Sequence, residues 1–261
     1  MNYAQFIDQS LYKIRGFMHP SDAKVFQEIL IGQTRRSIKG ALAEIGVFYG
    51  RSFSLLAMNA KDSGETALGL DLFENPDQIP YVENVLKEND LLASCRLEAG
   101  SSLDLSPGDV TAMAGPVRFF SVDGGHEMEH ILHDSALAAG SVCEQGVIAF
   151  DDFMNAQYPD LTVGLIDFLR ENADTVRPFA ITRAKLYVAP VGACALYQEI
   201  LESMDLSGGL ERDRFKLLGH EVVFIDQPGV NRAVYQKLAE RGLGKVGKKL
   251  ASSLGGRAEI R

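Results

Sequence analysis

Five apolar runs of this chain end in residues that can do chemistry. Glu44 and the turn Gly46-Val-Phe-Tyr-Gly50-Arg-Ser52 close the first run, and Asp71 closes Thr66–Leu70. Gly100-Ser101-Ser102 follow the third, Asp123-Gly-Gly-His126 the fourth, and Asp151-Asp152 the fifth. Taken singly these are common turn residues. If the runs are strands of a doubly wound sheet, however, their carboxyl ends share one edge, and that edge is where such sheets bind ligands. Glycines at 46 and 50 permit backbone conformations closed to residues with a Cβ, so Gly46, Tyr49, Gly50 and Ser52 are the turn positions expected to meet a ligand. Asp71 lies at the distance where nucleotide folds place a ribose-binding acid, and one nucleoside-like ligand accounts for it and for Glu44. A dinucleotide needs G-x-G-x-x-G, because the second glycine lets the backbone touch a pyrophosphate. Phe48 and Arg51 occupy the second and third of those positions, which favours a ligand without phosphates.

Asp123, Asp151 and Asp152 on one rim would raise one another's pKa unless a cation intervened, and an all-oxygen set suits Mg²⁺ or Mn²⁺. The plainer alternative is that Asp151 caps the next helix and Asp152 is solvated. His126 follows Asp123 past two glycines that let the chain turn tightly, so it can share the rim as a general base, its ordinary pKa of about 6.5 suiting that task. A local role, capping the helix or orienting Asp123, stands beside that reading. The run His126-Glu127-Met128-Glu129-His130 also fits H-E-x-x-H, the zinc protease signature, with His133 one turn on. That signature lies inside a helix, whereas His126 comes straight after a strand and two glycines. His130 and His133 therefore read as ordinary helix residues.

These residues need a scaffold, and alternating apolar runs and helical patterns supply it between Gly40 and about Pro190. Strands are expected near 41–46, 66–71, 94–99, 117–123 and 146–151, with helices near 52–61, 78–89, 127–139 and 160–171, a parallel sheet covered on both faces. Ser52 is a good N-cap for the first of these helices. Val176–Ile181 and Lys185–Val188 form a hairpin pattern. Residues 1–39 make an N-terminal helical appendage, with patterns at Tyr3–Ile14 and Asp22–Ile31 separated by His19-Pro20-Ser21. Residues 191–261 make a C-terminal appendage: a helix, a strand pair at Phe215–Leu218 and Glu221–Ile225, and a tail rich in Arg232, Lys237, Arg241, Lys245, Lys248, Lys249, Arg257 and Arg261. That tail reads as a solvated helix with a frayed end.

A chain of 261 residues, 46% hydrophobic, can bury a large core as one domain with appendages. Its formal charge of -9 and pI near 5.1 give no field that would favour nucleic acid or an anionic membrane, leaving small molecules as the expected partners. Cys95, Cys143 and Cys194 are odd in number and set in apolar contexts, as buried thiols rather than a disulfide framework. No stretch reaches the roughly 18 apolar residues needed to span a bilayer, and the first residues do not form a signal sequence. A cytoplasmic protein is expected.

The first motif resembles that of class I S-adenosylmethionine-dependent methyltransferases, Glu/Asp-x-Gly-x-x-x-Gly-x-Ser in the catechol O-methyltransferase-like branch, matched by Glu44, Gly46, Gly50 and Ser52. The resemblance implies a Rossmann-like α/β fold, doubly wound, with a mostly parallel seven-stranded sheet, an antiparallel last strand and helices on both faces. It places Asp71 on the ribose hydroxyls, Gly100-Ser101-Ser102 at the adenine and Asp123 near the cofactor, although Leu103 departs from a frequent polar adenine contact. It places Asp123, Asp151 and Asp152 on the divalent-metal ligands of catechol and caffeoyl-CoA O-methyltransferases, where the third is usually Asn. A lysine in those enzymes stands where His126 is. Asp123-Gly-Gly-His126 followed by Gly146-Val-Ile-Ala-Phe-Asp-Asp152 looks closer still to the macrocin O-methyltransferase-like branch. What the resemblance implies is methyl transfer from S-adenosylmethionine to a small-molecule hydroxyl, assisted by Mg²⁺ or Mn²⁺. The alternatives are a metal-independent methyltransferase of the same fold, a non-catalytic cofactor-binding protein, and the zinc hydrolase. In that family the N-terminal helices cover the cofactor or build a homodimer or higher homo-oligomer.

Overall fold

Short apolar runs without polar alternation are what strands buried on both faces require. In a computed structural model, which describes residues 3–227, they form β1 (Ala41–Ile45), β2 (Ala67–Asp71), β4 (Val117–Val122) and β5 (Val142–Phe150), with the partly exposed, alternating strand β3 (Cys95–Ala99) at the edge, followed by β6 (Val176–Ile181) and β7 (Leu186–Pro190). All five residues of β1 are buried. The strands lie in the order β3-β2-β1-β4-β5-β7-β6, parallel except for β7, which runs antiparallel between β5 and β6. In register Ile45 pairs with Leu70 and Val122, and Val122 with Phe150. Gly46, Asp71, Asp123 and Asp151 consequently leave the sheet at one level. The order reverses between β1 and β4, the switch point at which open α/β sheets bind ligands.

Among the described residues the sheet has nine strands, not the seven expected. β8 (Glu211–Leu217) and β9 (His220–Asp226) are no detached appendage: β9 pairs parallel with β6 through Ala180↔Val223 and Ile181↔Phe224, and β8 forms the outer edge. The reason is burial, since Val222, Val223 and Ile225 of β9 are buried. β8 carries Arg212, Asp213, Arg214 and Lys216, the charged composition that keeps an exposed edge from pairing further.

Helices cover both faces. α1 (Tyr3–Gln9), α2 (Pro20–Arg35), α3 (Arg51–Ser63), α4 (Gln78–Glu88) and α8 (Cys194–Glu202) bury their apolar sides with Leu42, Phe119, Val147 and Tyr187 of the sheet. α5 (Pro107–Ala114), α6 (Met128–Ser141) and α7 (Pro159–Glu171) pack with Ala43, Phe120, Ile148 and Val188 on the other side. α5 was not expected. It is fixed by a capping box in which Ser106 Oγ accepts from Asp109 N–H while the Asp109 carboxylate accepts from Ser106 N–H at 2.8 Å. Phe6, Leu11, Phe26, Ile29 and Leu30 are buried in the main core, so the N-terminal helices are built into it. At the amino ends of the strands the buried Arg118 of β4 pairs with Glu65 at 2.7 Å, donates to Gln33 Oε1 at 2.7 Å and also donates to Asn59. The tail from Arg232 to Arg261 lies outside the described residues.

Candidate active site

The turn after β1 is shaped by what lies against it. Gly46 has φ +85°, and a Cβ there would overlap the Asp123 carbonyl oxygen. Gly50, also left-handed, is the N-cap of α3, so the helix begins at Arg51. Ser52 is therefore not the N-cap expected. It sits in the first turn, buried, with its hydroxyl toward Glu44. Phe48 is held at φ +52° while its N–H donates to Asp71 Oδ2 at 2.7 Å, and Phe73, at φ +49°, donates its N–H to Asp71 Oδ1 at 2.7 Å. Asp152 and Met154, at φ +54° and +64°, also bear on this edge. Non-glycine residues in that region cost of order 1–3 kcal/mol each and cluster where the surrounding structure enforces them for function.

These turns enclose a cleft of about 620 Å³, within the range of small-molecule sites. It gathers Gly46, Ser52, Asp71, Gly100, Ser101, Ser102, Asp123, His126 and Asp152 from the sequence-predicted set. Four of that set do not line it. Tyr49 turns away, its hydroxyl donating to Asp77 at 3.0 Å beneath the Arg15 guanidinium. Gly50 lies behind the turn against Val82, and Glu44 and Asp151 lie beneath the floor. Residues not foreseen complete the walls: Phe17 and Phe48 stack at the mouth with ring centroids 6.3 Å apart, and Glu74, Asn75 and Gln78 flank Asp71.

On the β4–β5 side, His126 Nε2 lies 3.1 Å from Asp152 Oδ2, and Asn155 donates to Asp152 Oδ1 at 2.7 Å. The His126 ring stacks on Tyr158 at 3.7 Å between centroids and 6° between planes. With Asp152 ionised, Nε2 carries the proton and Nδ1 keeps the lone pair, the orientation that a carboxylate imposes on a basic imidazole. One ligand atom each from Asp123, His126 and Asp152 also fall within 4.8 Å of one another. That set fits a divalent cation, but it is not the expected all-oxygen trio. His126 stands in place of Asp151, whose Oδ2 is 2.8 Å from the buried Lys185 Nζ. The imidazole widens the choice beyond Mg²⁺ and Mn²⁺ toward metals that accept nitrogen. The zinc-protease geometry is absent among the described residues, because α6 starts at Met128 and His126 precedes it. His130 instead lines the cleft near Ser101 and Ser102, its Nδ1 3.4 Å from Glu127.

The buried acids behave differently from one another. Burial and the neighbouring Asp151 charge push the Asp123 carboxyl well above the usual range, with Lys185 opposing. At Asp151 burial acts the same way, but the Lys185 charge and hydrogen bond outweigh it and hold the group low. Glu44 is wholly buried, and burial, opposed by the Ser52 and Ser121 hydroxyls and the Lys185 charge, raises its pKa to about 8. The folded protein thus keeps a proton that the unfolded chain has lost. Stability therefore falls as pH rises from the ordinary carboxyl value to about 8 and levels off beyond it, by at most about 1.4 kcal/mol per unit for this group. In urea unfolding between pH 5.5 and 8.5, Glu44→Gln is expected to remove that part of the slope. Equal slopes in the two proteins would mean that Glu44 is ionised in the native state.

Residues 43–153, from β1 to the loop after β5, match the family model of a methyltransferase domain. With the sheet order and the cleft at its switch point, this segment, which makes up less than half of the chain, has the fold of a class I S-adenosylmethionine-dependent methyltransferase domain. The fold is similar to that of the O-methyltransferase NovP (TM-score 0.54, 18% identity, 64% of this chain and 80% of that one). It is also similar to the O-methyltransferase TomG from Streptomyces achromogenes, solved with S-adenosylmethionine (0.51, 16%, 72% and 87%), and to an O-methyltransferase from Bacillus cereus solved with S-adenosylhomocysteine (0.53, 15%, 71% and 88%). Comparison with curated proteins gives no significant match. No helix among the described residues is long and apolar enough to cross a membrane.

Proposed function

We propose that this enzyme methylates a hydroxyl oxygen of a small molecule, with S-adenosylmethionine as donor and His126, oriented by Asp152, as proton acceptor. The observation that carries this reading is the His126 Nε2–Asp152 Oδ2 contact at 3.1 Å on the rim of the cleft that Asp71 closes. The donor supplies an electrophilic methyl group for in-line displacement, so the protein has to align the partners and take up a proton. Asp71 is fixed by two backbone N–H groups, each leaving lone pairs for ribose hydroxyls. Gly100, Ser101 and Ser102 face the base, and Gly46 and Ser52 face the amino-acid end. The net charge of -9, which gives no field to attract a polyanion, supports a small acceptor over nucleic acid. A reducing, cytoplasmic setting agrees with three free cysteines.

A second reading is favoured by the closeness of Asp123, His126 and Asp152. These three would hold a divalent cation, which would lower the pKa of the acceptor hydroxyl, and His126 would then be a ligand rather than the base. Calorimetric titration should show S-adenosylmethionine and S-adenosylhomocysteine binding in the micromolar range or tighter, with no heat from NAD, because Phe48 blocks a pyrophosphate. Release of S-adenosylhomocysteine in the presence of a panel of phenols and sugar alcohols, but not their deoxy analogues, should identify the oxygen acceptor. NAD binding alongside silence for S-adenosylhomocysteine would refute the reading. Activity that EDTA removes and Mn²⁺ restores would select the cation version.

A further inference from the structure

Lys185 stands between the β6–β7 turn and β7, its side chain 2% exposed, with Nζ 2.8 Å from Asp151 Oδ2 and 5.4 Å from the centre of the Phe26 ring. Thr182 N–H donates to the Lys185 carbonyl at 2.9 Å, and Phe153 N–H to the Ala184 carbonyl at 3.0 Å, so the turn that carries the lysine is tied to the loop after β5. The ammonium faces Asp123 and, from α2, Asp22 as well. Glu44 lies within its field. Two buried carboxyl groups, Asp22 and Glu44, and two half-buried ones, Asp123 and Asp151, therefore share one buried cation.

Two consequences follow from charge alone. Asp151 cannot give Oδ2 to a metal ion without placing that ion beside a fixed ammonium, and like charges at such range in a buried site repel strongly. Asp123 and Asp151, which would otherwise repel one another, are already screened. We infer that Lys185 is a built-in counter-cation and positioning residue, which fixes Asp151, screens Asp123, and confines any exchangeable cation to Asp123, His126 and Asp152. The inference rests on this rim being the catalytic centre proposed above. It also assigns α2 a part in the site, because Asp22 and Phe26 hold the far side of the ammonium. Burial favours the neutral amine and the three aspartates favour the charged one, and the aspartates prevail.

The test is Mn²⁺ binding to metal-stripped protein by calorimetry and by the Mn²⁺ paramagnetic resonance signal, beside S-adenosylhomocysteine titration of the same samples. Lys185→Met leaves Asp151 free to join Asp123, and Mn²⁺ affinity should rise by roughly tenfold or more, the scale on which groups around a metal tune its binding. In Lys185→Met/Asp151→Asn the gain should vanish and wild-type Mn²⁺ behaviour return. An unchanged Mn²⁺ affinity in Lys185→Met overturns the inference. If that variant does not fold, the charge-free double variant decides alone: wild-type Mn²⁺ binding supports the inference, and weakened binding, which would make Asp151 a ligand, overturns it. Failure of every protein, wild type included, to bind S-adenosylhomocysteine would refute the proposed function and leave the Mn²⁺ comparison readable.

Discussion

Gly46→Ala should abolish S-adenosylhomocysteine binding and lower stability by roughly 3–5 kcal/mol, the combined scale of a strained left-handed residue and an overpacked contact. The added Cβ has nowhere to go. It meets backbone, the Asp123 carbonyl oxygen and carbon, rather than the far end of a flexible side chain. Ile45 O accepts from Asp123 N–H and Leu70 O from Gly46 N–H, both at 2.9 Å, so relieving the overlap would spread β1 from β4 where Asp71 and Asp123 are aimed. The neighbouring glycines set a graded control. At Gly50, also at φ +85°, a Cβ would touch only Val82 side-chain atoms from 3.3 Å outward, and the loss should be smaller. At Gly100 nothing lies within 4 Å, and alanine there should leave the melting temperature unchanged. Calorimetric melting and ligand titration of the three variants check the order. A Gly46→Ala protein as stable as Gly100→Ala would show that the β1–β4 contact is not rigid.

The strands around this site were legible because buried parallel strands leave continuous apolar runs, and the residue that ends each run marks the functional edge. What pairs with the outer strand was not, since periodicity records which residues of β9 are apolar but not that β6 offers them a free edge. α5 is not among the expected helices, and only the Ser106–Asp109 capping box, which the sequence does contain, marks it as a helix start. At the site, the rim acids were legible as a group, but their partners were not. Lys185 reaches Asp151 only through the antiparallel insertion of β7 beside β5, and Tyr158 reaches His126 only through the course of the loop after Asp152. Glu44 carried a signal that was misread. A charged residue inside an otherwise apolar strand, paired in register with the small residues Gly69 and Ser121, belongs beneath the cleft rather than in its wall.

His126→Ala should lower turnover by roughly 10²–10⁴-fold while leaving S-adenosylhomocysteine affinity nearly unchanged, the signature of a lost proton acceptor. Position supports this before chemistry does. The imidazole stands outside α6, is clamped face to face by Tyr158, and presents Nε2 to Asp152. Asp152 is itself braced by Asn155 in a strained backbone conformation, an expense of structure that a solvated surface acid would not need. If the two act as a unit, Asp152→Asn should also slow turnover, and the double variant His126→Ala/Asp152→Asn should be scarcely slower than His126→Ala alone, because the orienting carboxylate has nothing left to orient. A phenolic acceptor gives a further check, since it can ionise unaided and raising the pH should then restore part of the activity of His126→Ala. The same variant separates base from ligand. A base loss leaves Mn²⁺ binding intact, whereas loss of a ligand weakens it together with turnover and leaves activity that high Mn²⁺ partly restores. Full turnover in His126→Ala, measured with an acceptor that the wild type methylates, would falsify both roles and move the proton to Asp123, the remaining rim carboxylate that burial and Asp151 hold above the usual carboxyl range.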